Sequence, residues 1–175
     1  MYCEYYPTVF DINYSKYRKL KVILFDIDNT ISPFGKCKIN DKLVEYMRML
    51  KNEKGYRIIL FSNTATKRII KFAKLLDVEY FTKAYKPFSR KIRKLLVQEH
   101  YLPEEILFVG DQIFTDVVCA NRYKIYSVIV EPLSHLEDPM CMIRRIVEYP
   151  IRKCLRKKFF EDKYRRLHRQ KTISR

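Results

Sequence analysis

The sequence predicts an α/β fold: a mainly parallel sheet with helices on both faces. Three observations point there. Apolar runs of strand length recur at Val22–Phe25 and in residues 57–62, 106–111 and 126–131, each continuous in the manner of a strand covered on both sides. The stretches between them mostly carry apolar residues at helical spacing, and parallel strands need such crossover connections. Three of the runs end in acidic or small polar residues: Asp26 and Asp28, Ser62 and Asn63, and Asp111. In open sheets of this kind, ligands bind outside the carboxyl ends of the strands.

The elements follow in order. "KVILFDIDNTIS" supplies the first strand and the first two acids. Residues 42–54 place Leu43, Met47 and Leu50 on one helical side, and Gly55 supplies the stop. "RIILFS" repeats the strand pattern. The next helix turns Ile69, Ile70, Phe72, Leu75 and Leu76 inward and Lys67, Lys71 and Lys74 outward. A weaker strand lies around Tyr80 and Phe81, before a loop fixed by Pro87. A helix over about 89–100, the strand "ILFVGD" and a last strand "YSVIVE" complete the core.

At 175 residues the chain fits one domain with a single hydrophobic core. No apolar stretch approaches the roughly 20 residues of a membrane-spanning helix, and "MYCEYYPTVFDINY" lacks signal-peptide character. The expected location is therefore cytoplasmic. The five cysteines, Cys3, Cys37, Cys119, Cys141 and Cys154, are dispersed and read as reduced thiols. His100, His135 and His168 are equally scattered, so neither set spells a metal site.

Two carboxylates at the end of a buried strand cost desolvation energy unless a cation or hydrogen-bond donors compensate. Asp26 and Asp111 offer hard oxygen ligands suited to Mg²⁺. Ser62 and the backbone amides near it can donate to phosphate oxygens, and Thr30 has a hydroxyl in the turn beside the acid pair. A lysine of "KAYKP" adds the positive charge that phosphoryl transfer requires; Lys86 is favoured for its place beside Pro87, with Lys83 the competitor. Asp116, about one turn beyond Asp111, is a supporting residue that can hold the lysine. Asp26, ionised, can attack phosphorus, and Asp28 can protonate the leaving oxygen.

"DIDNT", "FSN", "KP" and "GDQIFTD", in this order at these strand ends, resemble the four motifs of the haloacid dehalogenase (HAD) superfamily of phosphatases. The resemblance implies a Rossmann-like domain, with Asp26 as nucleophile and Asp28 as general acid and base. It also implies Ser62 and Lys86, with Thr30 and Asn63, around the phosphate. Mg²⁺ would be held by the side chains of Asp26 and Asp111 and the backbone carbonyl of Asp28. "TKAYKP" and "VGDQIFTDV" followed by "NRY" are similar, further, to the YqeG-like HAD phosphatases related to mitochondrial phosphatidylglycerophosphate phosphatases. That group implies a lipid phosphate monoester as substrate. Cys119, Ala120 and Lys124 stand where the group has glycines, and Lys124 would occupy a left-handed helix cap. No large cap domain fits between the motifs, so the site is expected to be open.

The domain plan is a phosphatase core over residues 1–135 and a basic helical extension over 136–175. From Arg144 to Arg175 there are 13 Lys and Arg against three acids, +10 of the total +16. Ile143, Val147, Ile151, Leu155 and Phe159 recur every four residues among these charges, the composition of an interfacial helix, and Pro150 is expected to divide it into two segments. The first segment is expected to pack its apolar stripe on the core, and the second to meet an anionic membrane surface, placing the protein peripherally on the inner face. Soluble sugar or nucleotide phosphates are the alternative substrates. Nucleic-acid binding through the basic tail is the rival of another class, disfavoured by the intact set Asp26, Asp28, Lys86 and Asp111.

Overall fold

The computed structural model describes residues 3–36, 39–64, 66–134 and 139–173, with side chains through residue 165. Cys37, His135 and the 135/136 domain boundary lie outside the described residues, as does the His168 side chain. Six strands form one all-parallel sheet in the order β1-β6-β5-β2-β3-β4. They are β1 (Cys3–Tyr6), β2 (Val22–Phe25), β3 (Arg57–Phe61), β4 (Glu79–Phe81), β5 (Ile106–Gly110) and β6 (Tyr126–Val130). The helices are α1 (Asp41–Arg48), α2 (Thr66–Leu76), α3 (Arg90–Val97), α4 (Val118–Arg122) and α5 (Pro139–Ile173).

Alternate residues of β2 enter two different cores, which is why the run is apolar throughout. Ile23 and Phe25 join Leu43, Met47 and Leu50 of the α1 region and Ile69, Phe72 and Leu76 of α2. Val22 and Leu24 join Ile92 and Leu95 of α3 and Cys119 and Ala120 of α4. The two helix layers predicted by the sequence are therefore present. Leu75 is an exception, 52% exposed rather than buried. Lys124 adopts φ 57° just after α4, the left-handed cap expected at that position, at a cost of about 1 kcal/mol for a side-chain-bearing residue.

Two differences concern the ends of the chain. The sequence analysis assigned no element to "CEYY", yet it pairs with β6 in the register Cys3↔Ser127 to Tyr6↔Val130. At the other end, α5 runs through Pro150 without a break. Pro150 and Ile146 are both exposed, so the carbonyl that Pro150 deprives of a donor can be solvated.

A third difference is one of orientation. Through Arg152, α5 turns its charged residues toward the core and leaves its apolar ones outside, the reverse of the packing expected for its first segment. Glu148 is fully buried and Arg145 and Arg152 are partly buried, whereas Ile146 is 74% exposed. Leu155 and Phe159, expected at a membrane, instead pack on the cluster of Tyr5, Ile113, Val117 and Ile129. Phe159 meets the rings of both Tyr5 and Tyr6.

Candidate active site

β2 lies between β5 and β3, and the chain reverses its direction across the sheet between β2 and β5. Asp26 and Asp111 emerge at that switch point, where crevices open in sheets of this topology. Asp26 prolongs the β2 ladder, its N–H donating to Val109 O at 2.9 Å. The chain then turns sharply: Ile27 O accepts the N–H groups of Thr30, Ile31 and Ser32 at 3.3, 3.1 and 3.1 Å. Asn29 takes φ 59° in this turn, a conformation Asn tolerates better than most residues. The turn carries Asp28 outward, where Asp28 Oδ1 accepts the Gly35 N–H at 3.2 Å and a guanidinium hydrogen bond from Arg68.

Of the two loop lysines, Lys86 reaches Asp26 at the end of β2. Its side chain is 4% exposed, and Nζ donates to Asp26 Oδ1 at 2.6 Å and to Asp116 Oδ1 at 2.7 Å. Burial alone would lower this ammonium, but Asp116 and Asp26 outweigh it and hold it above its ordinary value. Burial pushes the Asp26 carboxyl up to about 6 against the pull of Lys86. The Asn63 side-chain oxygen Oδ1 accepts the Lys86 backbone N–H at 3.2 Å, tying the lysine loop to the end of β3. Ser62 is 2% exposed, and its hydroxyl accepts the Thr64 N–H at 3.3 Å.

Asp116 orders the turn after β5. Its Oδ2 accepts the N–H groups of Asp111 and Gln112 at 3.1 and 3.0 Å. Gly110 makes this possible, since a Cβ there would lie 2.3 Å from Asp116 Oδ2. Asp111 is fully buried. Thr30 Oγ1 donates to Asp111 Oδ1 at 3.2 Å, so the Thr30 hydroxyl points at a carboxylate rather than into the cavity. Arg145 of α5 donates to Asp111 Oδ2 and to its backbone carbonyl, and Arg152 donates to the same carbonyl. Burial raises the Asp111 carboxyl to about 7, with Arg145 opposing.

A cavity of about 400 Å³ opens over these groups. Asp26, Asp28, Ser62, Asn63 and Lys86 face it, and Arg68, Gln112, Cys141 and Arg144 close its sides. Thr30, Asp111 and Asp116 lie behind it. Among the described residues no cap domain covers the site, but it is less open than expected because α5 contributes a wall. Sequence reasoning did not single out Arg68 or Arg145. Arg68 also hydrogen-bonds Thr64 Oγ1, four residues earlier, at 3.0 Å; that helical spacing is the one local signal it offered, whereas Arg145 reaches Asp111 across 34 residues.

The donor set suits a hard divalent cation. Oxygens of Asp26, Asp111 and Asp116 lie within 4.8 Å of one another, the one such acidic cluster among the described residues. Both oxygens of Asp116 accept hydrogen bonds from Lys86 and two backbone N–H groups, and both of Asp111 accept from Thr30 and Arg145, so a cation at either carboxylate would take the place of one of these donors. The Asp28 carboxylate stands outside the cluster, in keeping with an expected role for its backbone carbonyl only.

Comparison with known proteins places the fold and the family. A HAD phosphatase from Thermococcus onnurineus superposes with a TM-score of 0.53 at 14% identity, covering 73% of this chain and 98% of its own; the fold and the chain's relatives make it a HAD-family phosphatase. The family model described as "Mitochondrial PGP phosphatase" matches residues 6–133, and the chain belongs to that family. It is 27% identical over 157 residues to "Probable phosphatase YqeG" of Bacillus subtilis, covering 89% of this chain and 91% of that protein. It is 30% identical over 152 residues to "Phosphatidylglycerophosphate phosphatase 1, chloroplastic/mitochondrial" of Arabidopsis thaliana, covering 81% of this chain but 44% of that longer protein.

Proposed function

We propose that this phosphatase is Mg²⁺-dependent, works through an aspartyl-phosphate on Asp26, and acts on phosphatidylglycerophosphate at the cytoplasmic surface of a membrane. The observation that carries the mechanism is the convergence of Asp26, Asp28 and Lys86 on one cavity, with Lys86 Nζ 2.6 Å from Asp26 Oδ1.

A carboxylate oxygen of Asp26 attacks phosphorus while the ester P–O bond breaks, and Asp28 gives its proton to the departing oxygen. Water then attacks the phosphoryl group, Asp28 takes the proton, and Asp26 is released with inorganic phosphate. Lys86 neutralises charge on the transferring group. Ser62 and Asn63 with their amides orient it, and Asp116 fixes Lys86. Arg68 keeps Asp28 turned toward the cavity. Thr30 steadies Asp111 instead of contacting phosphate. Carboxylates of Asp26 and Asp111 and the Asp28 carbonyl would hold the Mg²⁺, which supplies further charge neutralisation.

Residues 1–135 form the catalytic core in this reading, and the 136–175 extension completes the cavity wall through Cys141 and Arg144. Support for a lipid phosphate comes from the family and from a cavity bordered by a helix with an apolar exterior. No helix among the described residues is long and apolar enough to cross a membrane. Phosphate release from phosphatidylglycerophosphate in mixed micelles, with Mg²⁺ or EDTA, tests the reading. Metal-dependent release that disappears in Asp26→Asn supports it. Cleavage of a soluble aryl phosphate with the lipid untouched removes the lipid assignment and keeps the mechanism.

A further inference from the structure

α5 is built inside out relative to an ordinary surface helix. Its inward side carries a ladder of charge. Glu148 accepts the Phe114 N–H at 2.9 Å and pairs with Arg152 at 3.5 Å, while Arg145 and Arg152 grip Asp111. The electrostatics of the first three turns are thus turned inward. What remains outside is apolar: Met142, Ile143, Ile146, Val147, Tyr149 and Ile151 are 53, 58, 74, 56, 64 and 37% exposed.

At about 100° per residue Met142, Ile143, Ile146, Val147 and Tyr149 fall within an arc of about 160°, with the less exposed Ile151 at its margin. The charged residues of the same stretch, Arg144, Arg145 and Glu148, are all partly or fully buried. Directly beyond, the exterior changes character, and Lys153, Arg156, Lys157 and Lys158 are exposed. Apolar and basic surface therefore follow one another along the helix axis. A contiguous apolar face of this kind on a soluble chain marks a contact surface.

We propose that the outer face of α5 from Met142 to Ile151 docks the protein on an anionic lipid bilayer, with its apolar side chains in the interfacial zone and Lys153 to Lys158 at the headgroups. Charge decides the occupant. A second copy seated on the same face would bring together two chains of +16 each, whereas anionic headgroups complement that charge, each basic side chain near the surface contributing about 1 kcal/mol. Cys141 and Arg144 of the same turns line the cavity from the helix's other side. A bilayer against the outer face would therefore lie one helix width from the cavity. The inference rests on the lipid-phosphate reading and names the residues that bring the site to its substrate.

The test is sedimentation of the full chain with phosphatidylcholine vesicles, with and without phosphatidylglycerol, beside turnover of a soluble aryl phosphate. The natural chain is expected to pellet with the anionic vesicles only. Ile143→Glu/Ile146→Glu is expected to lower the bound fraction at least tenfold with aryl phosphate turnover unchanged. Lys153→Gln/Lys157→Gln/Lys158→Gln, which leaves the apolar face intact, is expected to weaken binding and flatten its salt dependence. The proposal is overturned if the natural chain stays in the supernatant, if the variants pellet equally, or if sedimentation equilibrium shows a dimer that Ile143→Glu/Ile146→Glu dissociates. Vesicle binding without hydrolysis of the lipid phosphate keeps the docking face and removes the substrate reading; hydrolysis in micelles without vesicle binding does the reverse.

Discussion

Arg145, in the first turns of the C-terminal helix, seats its guanidinium on the buried carboxylate of Asp111 at the end of a central strand. The helix that supplies the exposed face is thereby fastened to a carboxylate that we propose holds the metal. Arg145 and a divalent cation would satisfy the same carboxylate. Arg145→Met is expected to lower the stability of the metal-free protein by about 3 kcal/mol, because Asp111 is left buried without its partner. The stabilisation gained on adding Mg²⁺ should grow correspondingly. Thermal unfolding with EDTA and with Mg²⁺ measures both; an unchanged Mg²⁺ increment would show that Arg145 and the metal do not share Asp111.

Lys86 and Lys83 should separate cleanly. Removing one preorganised electrostatic contact to a developing charge costs on the order of 10²–10³ in kcat. Lys86→Met is therefore expected to lose about a hundredfold or more, and Lys83→Met less than about twofold. Steady-state kinetics with an aryl phosphate reads the difference, and a larger loss at Lys83 would reassign the phosphate lysine.

Gly110 is required by close approach rather than by backbone conformation. A methyl group at this position meets Asp116 Oδ2 at 2.3 Å, and Asp116 holds both Lys86 and the Asp111 N–H. Gly110→Ala is expected to cut kcat tenfold or more while leaving a folded far-ultraviolet spectrum. Wild-type kcat in that variant would mean that Asp116 does not position Lys86.

The pH dependence of stability has a defined sign. Burial raises Asp26 to about 6 and Asp111 to about 7 in the fold, while an unfolded chain releases such protons near about 4. Between these limits the native state binds more protons than the unfolded one. Metal-free stability should therefore fall as pH rises from about 5 to 7. Denaturant midpoints across that range check this, and Asp111→Asn should flatten the decline. A midpoint that rises through the window would contradict the burial argument.

Much of the site is legible in the sequence because a parallel sheet gathers its strand ends along one edge. Asp26, Ser62 and Asp111 terminate apolar runs, so recognising the runs places the acids together. Asp116 and Lys86 follow from chemistry, since a buried acid pair needs a nearby cation. The rest depends on contacts distant in sequence. β1 is a four-residue edge strand without a long apolar run, and its identity comes from pairing with β6. The helical period of α5 shows which residues share a side, but not which side turns inward. That choice is made by Asp111, Glu131 and the Phe114 N–H, which receive Arg145, Arg152 and Glu148. Arg68 is hidden for the same reason, since its partners Asp28 and Lys36 O lie 40 and 32 residues away.

The central claim is that Asp26 carries the phosphoryl group, and trapping that group tests it most directly. The enzyme is quenched during turnover of an aryl phosphate, reduced with borohydride to convert any acyl phosphate to homoserine, and mapped by tandem mass spectrometry. The account predicts homoserine at position 26 alone, and none in Asp26→Asn. Modification at another acid, or undiminished turnover in Asp26→Asn, would contradict it.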